Sequence, residues 1–547
     1  MNTKLLKISA VTASAALLAS VFTGCAAEDS QKENNNYVPY DSNYNYEFIP
    51  EQNQNSDETN SAADKISENS PAEVNPNEEY SPVTEQGFKN PYEFPLSTFS
   101  ADVDTASYAN VRRIIEDAQA IPDGAVRVEE FINYFDYDYP APTDGELFGR
   151  CVEIADCPWN SANKLMLVGI KAKEIMTQET PPSNLVFLID ASGSMAGYNK
   201  LPLVQGAFSM LAEELSENDR ISIVTYANNS EIVLAGESGK NKDKILEALY
   251  SIKTGGNTNG EAGIRSAYEL AEKCFINGGN NRVIIATDGD LNVGASTENE
   301  LVSIIETKRE SGIYLSVLGF GTDNIKDNKL EALADNGNGN YSYIDSVAEA
   351  ERALVSEMKG NLYTVANDVK IQVEFNPSTV ESYRLLGYDN RIMEAHDFTD
   401  SSKDAGEVGS GHTVTALYEI SLKSSSSFDG IPLEFASEHT NNSSDVNTSA
   451  RTELCKISVA YKDPASESAQ QQCTSCLYGQ ECFTESPSDN FRLAGAAAEF
   501  AMLLKNSEYK MDSSYGQVME TINSINSENE KISELRDLVS TASALYK

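Results

Sequence analysis

The chain has 547 residues, room for several domains, and its 40% hydrophobic content is enough to build real cores. Asp and Glu number 84 against 41 Lys and Arg, a net charge of −43, which argues against nucleic-acid binding and against a tight electrostatic hold on an anionic membrane. A large charge of one sign also keeps a chain soluble.

The first segment has the form of a targeting signal. Lys4 and Lys7 precede an apolar and small-residue run from Ile8 to Phe22, too short to span a bilayer comfortably. The run ends in Phe22-Thr-Gly-Cys25, which resembles a bacterial lipobox. The resemblance implies cleavage after residue 24 and lipid on Cys25, anchoring the mature chain to the outer side of the cell membrane. Residues 25–86 are rich in Asn, Glu, Ser, Asp and Pro, with sparse apolar positions, and the composition predicts a disordered tether. A flexible segment of about 60 residues reaches roughly 40–45 Å.

Residues 87–178 read as an α+β domain. Ser97–Thr105 reads as a strand with Ser/Asp turns, Tyr108–Ala118 and Val126–Phe135 as amphipathic helices, and Lys164–Lys171 as a strand. Asp102 and Asp104 next to a helix start read as capping and turn residues rather than a metal pair.

Residues 179–363 alternate strand and helix. Strands are expected at 185–190, 221–226, 232–235, 282–287, 314–319 and 341–344; helices at 201–215, 242–252, 260–275, 298–311, 328–334 and 347–362. Continuous apolar runs predict strands buried on both faces, hence an α/β fold with a doubly wound, mostly parallel sheet and 232–235 as its antiparallel edge. Ligands of such sheets bind outside the carboxyl ends of the strands. Asp190 closes one run as Asp190-Ala-Ser192-Gly-Ser194, Asp288 closes another before Gly289, and Thr258 sits in a Gly/Asn-rich turn. Three hydroxyls and two carboxylates make an all-oxygen set suited to Mg²⁺ or Mn²⁺, with Ca²⁺ as a further candidate.

This pattern resembles the metal-ion-dependent adhesion site of von Willebrand factor type A (VWA) domains, and all five positions match in order. The resemblance implies a Rossmann-like fold. Ser192, Ser194 and Thr258 become hydroxyl ligands, and Asp190 and Asp288 become direct or water-mediated ones. Asp290 and Asn292 lie near enough to tune the rim.

Residues 364–547 read as β-rich with a helical tail. Strands are expected at 367–375, 380–386, 412–421 and 455–461, a Ser/Asn-rich loop at 424–447, and helices at 490–504, 515–525 and 531–545. Seven cysteines remain besides Cys25, an odd number that leaves at least one thiol unpaired. Cys473-x-x-Cys476 with Cys482 lacks a clear fourth metal ligand, so a local disulfide or plain thiols is the expectation. Phe99–Arg113, Val126–Phe135 and Asp404–Glu419 are similar to motifs of the YfbK-type VWA lipoproteins, whose architecture the whole folded chain then shares.

The function these features imply is a surface lipoprotein that binds a carboxylate of a protein partner across a divalent cation, in adhesion or envelope assembly. A structural envelope protein with a merely stabilising metal is the alternative. A metal-dependent hydrolase is the weakest reading. The chain has no Gly-x-Ser-x-Gly or His-Glu-x-x-His motif, and its His396, His412 and His439 lie outside the VWA segment.

Overall fold

In the computed structural model, the described residues are 71–101, 104–143, 145–175, 181–289, 291, 295–322, 324–357, 363–423, 453–464, 471–527 and 529–546, with side chains of 295–299 excepted. All belong to one compact unit. Cys25, the signal segment, Asp102, Asp290, Asn292 and the 424–447 loop lie outside them.

The first segment runs β1 (Leu96–Ser100), α1 (Ala106–Glu116), α2 (Val128–Asn133), β2 (Phe148–Asp156) and β3 (Lys164–Ala172). The middle segment is β4 (Ser183–Asp190), α3 (Leu201–Glu214), β5 (Arg220–Tyr226), β6 (Ser230–Ser238), α4 (Lys242–Tyr250), α5 (Gly260–Lys273), β7 (Asn280–Thr287), α6 (Ala295–Glu310), β8 (Ile313–Phe320), α7 (Asp327–Asn336), β9 (Tyr341–Ile344) and α8 (Val347–Glu351). The last segment is β10 (Thr364–Phe375), β11 (Val380–Leu386), the short β12 (Ile392–Met393) and β13 (Val408–Gly409), β14 (Thr413–Leu422), β15 (Cys455–Lys462) and β16 (Gln471–Tyr478). It closes with α9 (Asp489–Leu504), α10 (Tyr515–Asn523) and α11 (Glu530–Leu545).

The middle segment forms one sheet in the order β6-β5-β4-β7-β8-β9, parallel except for the antiparallel edge β6. Alternation along β4 explains why both faces are apolar. Leu185, Phe187 and Ile189 pack on α3 and α4, while Val186 and Leu188 pack on α5 and α7. Chain order reverses between β4 and β7, which makes the crevice at their carboxyl ends the switch point of the sheet. The expected final helix, 347–362, is shorter: α8 ends at Glu351 and passes into a π-helical turn, Arg352–Ser356.

The segments expected as separate flanking domains, 87–178 and 364–547, share their sheets. β1 pairs with β10 and β12, in the order β12-β1-β10-β15-β16, and β3 pairs with β14, in the order β11-β14-β3-β2. Met166, Val168 and Ile170 face the larger sheet, against Phe99, Ile371 and Val459, while Leu165 and Leu167 face a bundle of α1, α2 and α9–α11. The middle segment is therefore inserted into a single scaffold. Periodicity locates strands but is silent on which strands pair, so the boundary was not legible.

Further expectations are corrected. Residues 71–86, read as tether, pack on the fold: Ala72 bridges to Gln119, Glu79 to Lys326, and Glu78 pairs with Arg113 at 3.0 Å. Asp104, read as a capping and turn residue, precedes the N-cap Thr105 of α1 and also ties other segments together. Its Oδ1 accepts from Tyr341 N (2.8 Å), a donor on the edge strand β9 that α1 covers, and its Oδ2 accepts from Arg391 (3.1 Å). Cys473 and Cys476 lie on β16, a strand that went unrecognised. Three residues apart in a strand, their side chains point to opposite faces, so of the two expectations for them plain thiols holds and a local disulfide does not. Among the described residues all seven cysteines are free thiols.

Three charge clusters bind the parts together. Glu419, in the 404–419 motif, is buried and accepts from Trp159 Nε1 (3.1 Å), Asn160 (2.9 Å), Asn163 (2.7 Å) and Arg384 (3.1 Å). Arg112 on α1 grips Asp345 with two nitrogens (2.6 and 2.8 Å), and also Glu349 on α8 (3.0 Å) and Glu534 on α11 (2.9 Å). Arg127 meets Asp327 (2.6 Å), and Arg391 meets Asp335 (2.9 Å), both on α7. Among the described residues no helix is long and apolar enough to cross a membrane.

Candidate metal site at the strand ends

Asp190 and Asp288 stand where β4 and β7 end, on adjacent parallel strands, and are 0% and 1% exposed. Asp190 closes a tight turn: its Oδ1 accepts Ser192 N at 2.8 Å, and its Oδ2 accepts Thr287 Oγ1 at 3.3 Å. The turn carries the chain into a single 3-10 turn, Gly193–Ala196. It sets Ser192 Oγ 2.9 Å from Ser194 Oγ, the first buried and the second exposed.

The turn carrying Thr258 is fastened to both strand ends by its backbone. Gly255 N donates to Ala191 O (2.8 Å), Gly193 N to Gly256 O (3.1 Å), and Gly260 N to Leu291 O (3.1 Å). Gly256 adopts φ +84°, and a Cβ there would fall 2.7 Å from the Asn228 amide, which itself accepts Asn257 N. Asn259 caps α5 by accepting Ala262 N at 3.3 Å. Thr258, half-buried, thus sits in a loop docked on the Asp190 turn, and the five expected residues come from three loops at one end of the sheet.

Burial pushes the Asp190 carboxyl up to about 6. The hydrogen bond from Ser192 opposes the shift and the Asp288 charge adds to it. Asp288 Oδ2 pairs with Lys200 Nζ at 2.9 Å, whereas Asp288 Oδ1 is buried without a hydrogen-bond partner. An orphaned buried carboxylate oxygen beside a second carboxylate and paired hydroxyls is a donor set that fits a hard cation. Lys200 was missed from sequence. Its signal was a cation placed just before α3, at the helix end that repels positive charge.

Beside these loops lies a cavity of about 380 Å³ bounded by Tyr198, Gly321 and Asp345 of the inserted segment, Arg113 and Glu116 of α1, and Glu534 of α11. Tyr198 is 78% exposed at its rim.

A doubly wound sheet with Asp-x-Ser-x-Ser, Thr and Asp at its switch point places the inserted segment among VWA domains. The von Willebrand factor type A domain model matches residues 184–357, with a further match described as von Willebrand factor over 74–167. Residues 360–545 match the family described as Uncharacterized protein YfbK, C-terminal. The chain is 41% identical over 432 residues to YfbK of Escherichia coli, covering 78% of this chain and 73% of that protein, and it belongs to the YfbK family. Among solved structures, a von Willebrand factor type A protein from Catenulispora acidiphila aligns with 75% of this chain and 91% of its own at 11% identity and TM-score 0.42. Proximal thread matrix protein 1 of the mussel byssus, with a zinc-occupied MIDAS motif, aligns with 33% of this chain and 46% of its own at 19% identity and TM-score 0.28.

Proposed function

We propose that this protein is held outside the cell membrane by lipid on Cys25 and binds a protein partner through a divalent cation, Mg²⁺ or Mn²⁺, in adhesion or envelope assembly. Ser192, Ser194 and Thr258 offer hydroxyls, and Asp190 and Asp288 carboxylates, directly or through water. The carrying observation is the meeting of two buried strand-end carboxylates with the paired serine hydroxyls, Ser194 being exposed. The ion, when bound, supplies an electrophilic point for a partner's carboxylate.

The chain's own residues prepare that encounter. Backbone bonds among Ala191, Gly193, Gly255 and Gly256 hold the hydroxyl loops in register. Tyr198 and the neighbouring cavity give a partner an aromatic contact and room beside the site. The donor set of hydroxyls and carboxylates suits a hard cation, so binding rather than catalysis is the reading.

The test is capture of envelope proteins by the full chain in Mg²⁺, in chelator, and with Ser192→Ala/Ser194→Ala. A partner retained only by wild type with metal is expected. Equal capture in all three would remove the recognition site from this face.

A further inference from the structure

We propose that Lys200 is a built-in counter-cation of the metal site: it holds Asp288 through Oδ2, leaves Oδ1 for the ion, and weakens cation binding until a partner's carboxylate joins. The inference rests on the metal-site reading above and assigns a residue outside the five-residue set.

The contact is built rather than incidental. The Lys200 ammonium sits 2.9 Å from Asp288 Oδ2, with the two side chains 12% and 0% exposed. Its stem lies in a slot that Gly321 opens, since a Cβ there would fall 2.4 Å from Lys200 Cε and 2.6 Å from Cγ. Gly321 adopts φ +77°, and its carbonyl is fixed by Tyr343 Oη at 2.7 Å, so the slot is held from the far side. Lys200 N donates to Gly197 O and Lys200 O accepts Val204 N, which fixes the residue as the N-cap of α3.

A cation at a helix N-terminus is opposed by the helix dipole, and a buried one needs a counter-charge. Asp288 is that counter-charge. Two carboxylates and a divalent ion sum to zero, and Lys200 raises the total to +1. The ammonium therefore repels the ion while it leaves the loaded site short of one negative charge. A carboxylate from a partner supplies that charge. Lys200 thus couples metal retention to partner engagement and selects acidic ligands over water.

The experiment is Mn²⁺ titration of the purified full chain, read by the free-ion electron paramagnetic resonance signal. It compares wild type, Lys200→Met, Lys200→Gln and Ser192→Ala/Ser194→Ala, with folding checked by circular dichroism. Lys200→Met keeps the stem packing without the charge, and both Lys200 variants are expected to bind Mn²⁺ about tenfold or more tightly than wild type. Binding by the Lys200 variants alone would support the same assignment. Serine-dependent binding in wild type with equal or weaker binding in both Lys200 variants would overturn the counter-cation while leaving the metal site standing. No serine-dependent binding in any variant would overturn both.

Discussion

Glu499 carries a pH dependence that one substitution should erase. It lies on α9 within the helical bundle, 0% exposed, with neither carboxyl oxygen hydrogen-bonded. Burial pushes its carboxyl up to about 7 from an ordinary 4.5, with nearby Ser513 acting in the opposite direction. The folded state therefore keeps a proton that the unfolded chain releases. Below about pH 4.5 both states are protonated and the group contributes no pH dependence. Between about 4.5 and 7 stability falls with rising pH, by about 1.4 kcal/mol per unit, and the loss saturates at about 3 kcal/mol above 7. Glu499→Gln mimics the neutral acid at every pH. Any cost of the buried amide is the same throughout, so the informative quantity is the change in the difference between the two proteins. Urea denaturation from pH 4.5 to 8 should show the variant gaining about 3 kcal/mol relative to wild type, since the other titrations cancel. A difference that stays constant across that range would mean Glu499 is ionised in the fold, and the burial argument would fail.

Other outcomes follow from the same structure. Arg112→Met strands Asp345, while Glu349 keeps Arg352 and Tyr134, and should cost about 3–5 kcal/mol in chemical denaturation; a loss under about 1 kcal/mol would show the cluster to be solvated. Gly289→Ala should destabilise more than Gly256→Ala. At φ +107° its Cβ would fall 2.5 Å from the backbone oxygen of Asn324, whereas at Gly256 the obstacle is a side chain that can move; equal thermal shifts would refute this. Mg²⁺ at 100 times its dissociation constant should stabilise wild type by about 2.7 kcal/mol and leave Ser192→Ala/Ser194→Ala unmoved; the same gain in both would place the ion elsewhere.

The inserted α/β domain was legible because its signals are local. Buried parallel strands are apolar throughout, as in Val283–Ala286, and the motif residues fall where those runs stop. The scaffold was less legible because its logic is long-range. Nothing near Leu96 announces a partner 278 residues away at Glu374, and β16 hides in Gln-Gln-Cys-Thr-Ser-Cys, an edge strand without an apolar face. Asp104 has the look of a cap, yet it satisfies the Tyr341 amide on another segment, much as Glu419 satisfies the Trp159 turn. Lys200 carried only a weak signal, its place just before α3, because its partner lies 88 residues on, across the switch point.

The insertion separates two properties that VWA loops combine. Local backbone bonds among Ala191, Gly193, Gly255 and Gly256 shape the metal loops, whereas the direction they face relative to the scaffold is set by Arg112, Arg127 and Arg391 reaching Asp345, Asp327 and Asp335. The two sets share no residue, so their perturbations should add. Arg112→Met at a temperature where the chain stays folded should leave Mn²⁺ affinity unchanged but weaken a partner that also touches α1 or α11 beside Tyr198. Ser192→Ala should abolish the first and, through it, the second. A double variant measured against both ligands would read the coupling directly. If Arg112→Met lowered Mn²⁺ affinity on its own, the site's geometry would depend on the scaffold's grip through α8, and the loops would not be the self-contained unit their backbone bonds describe.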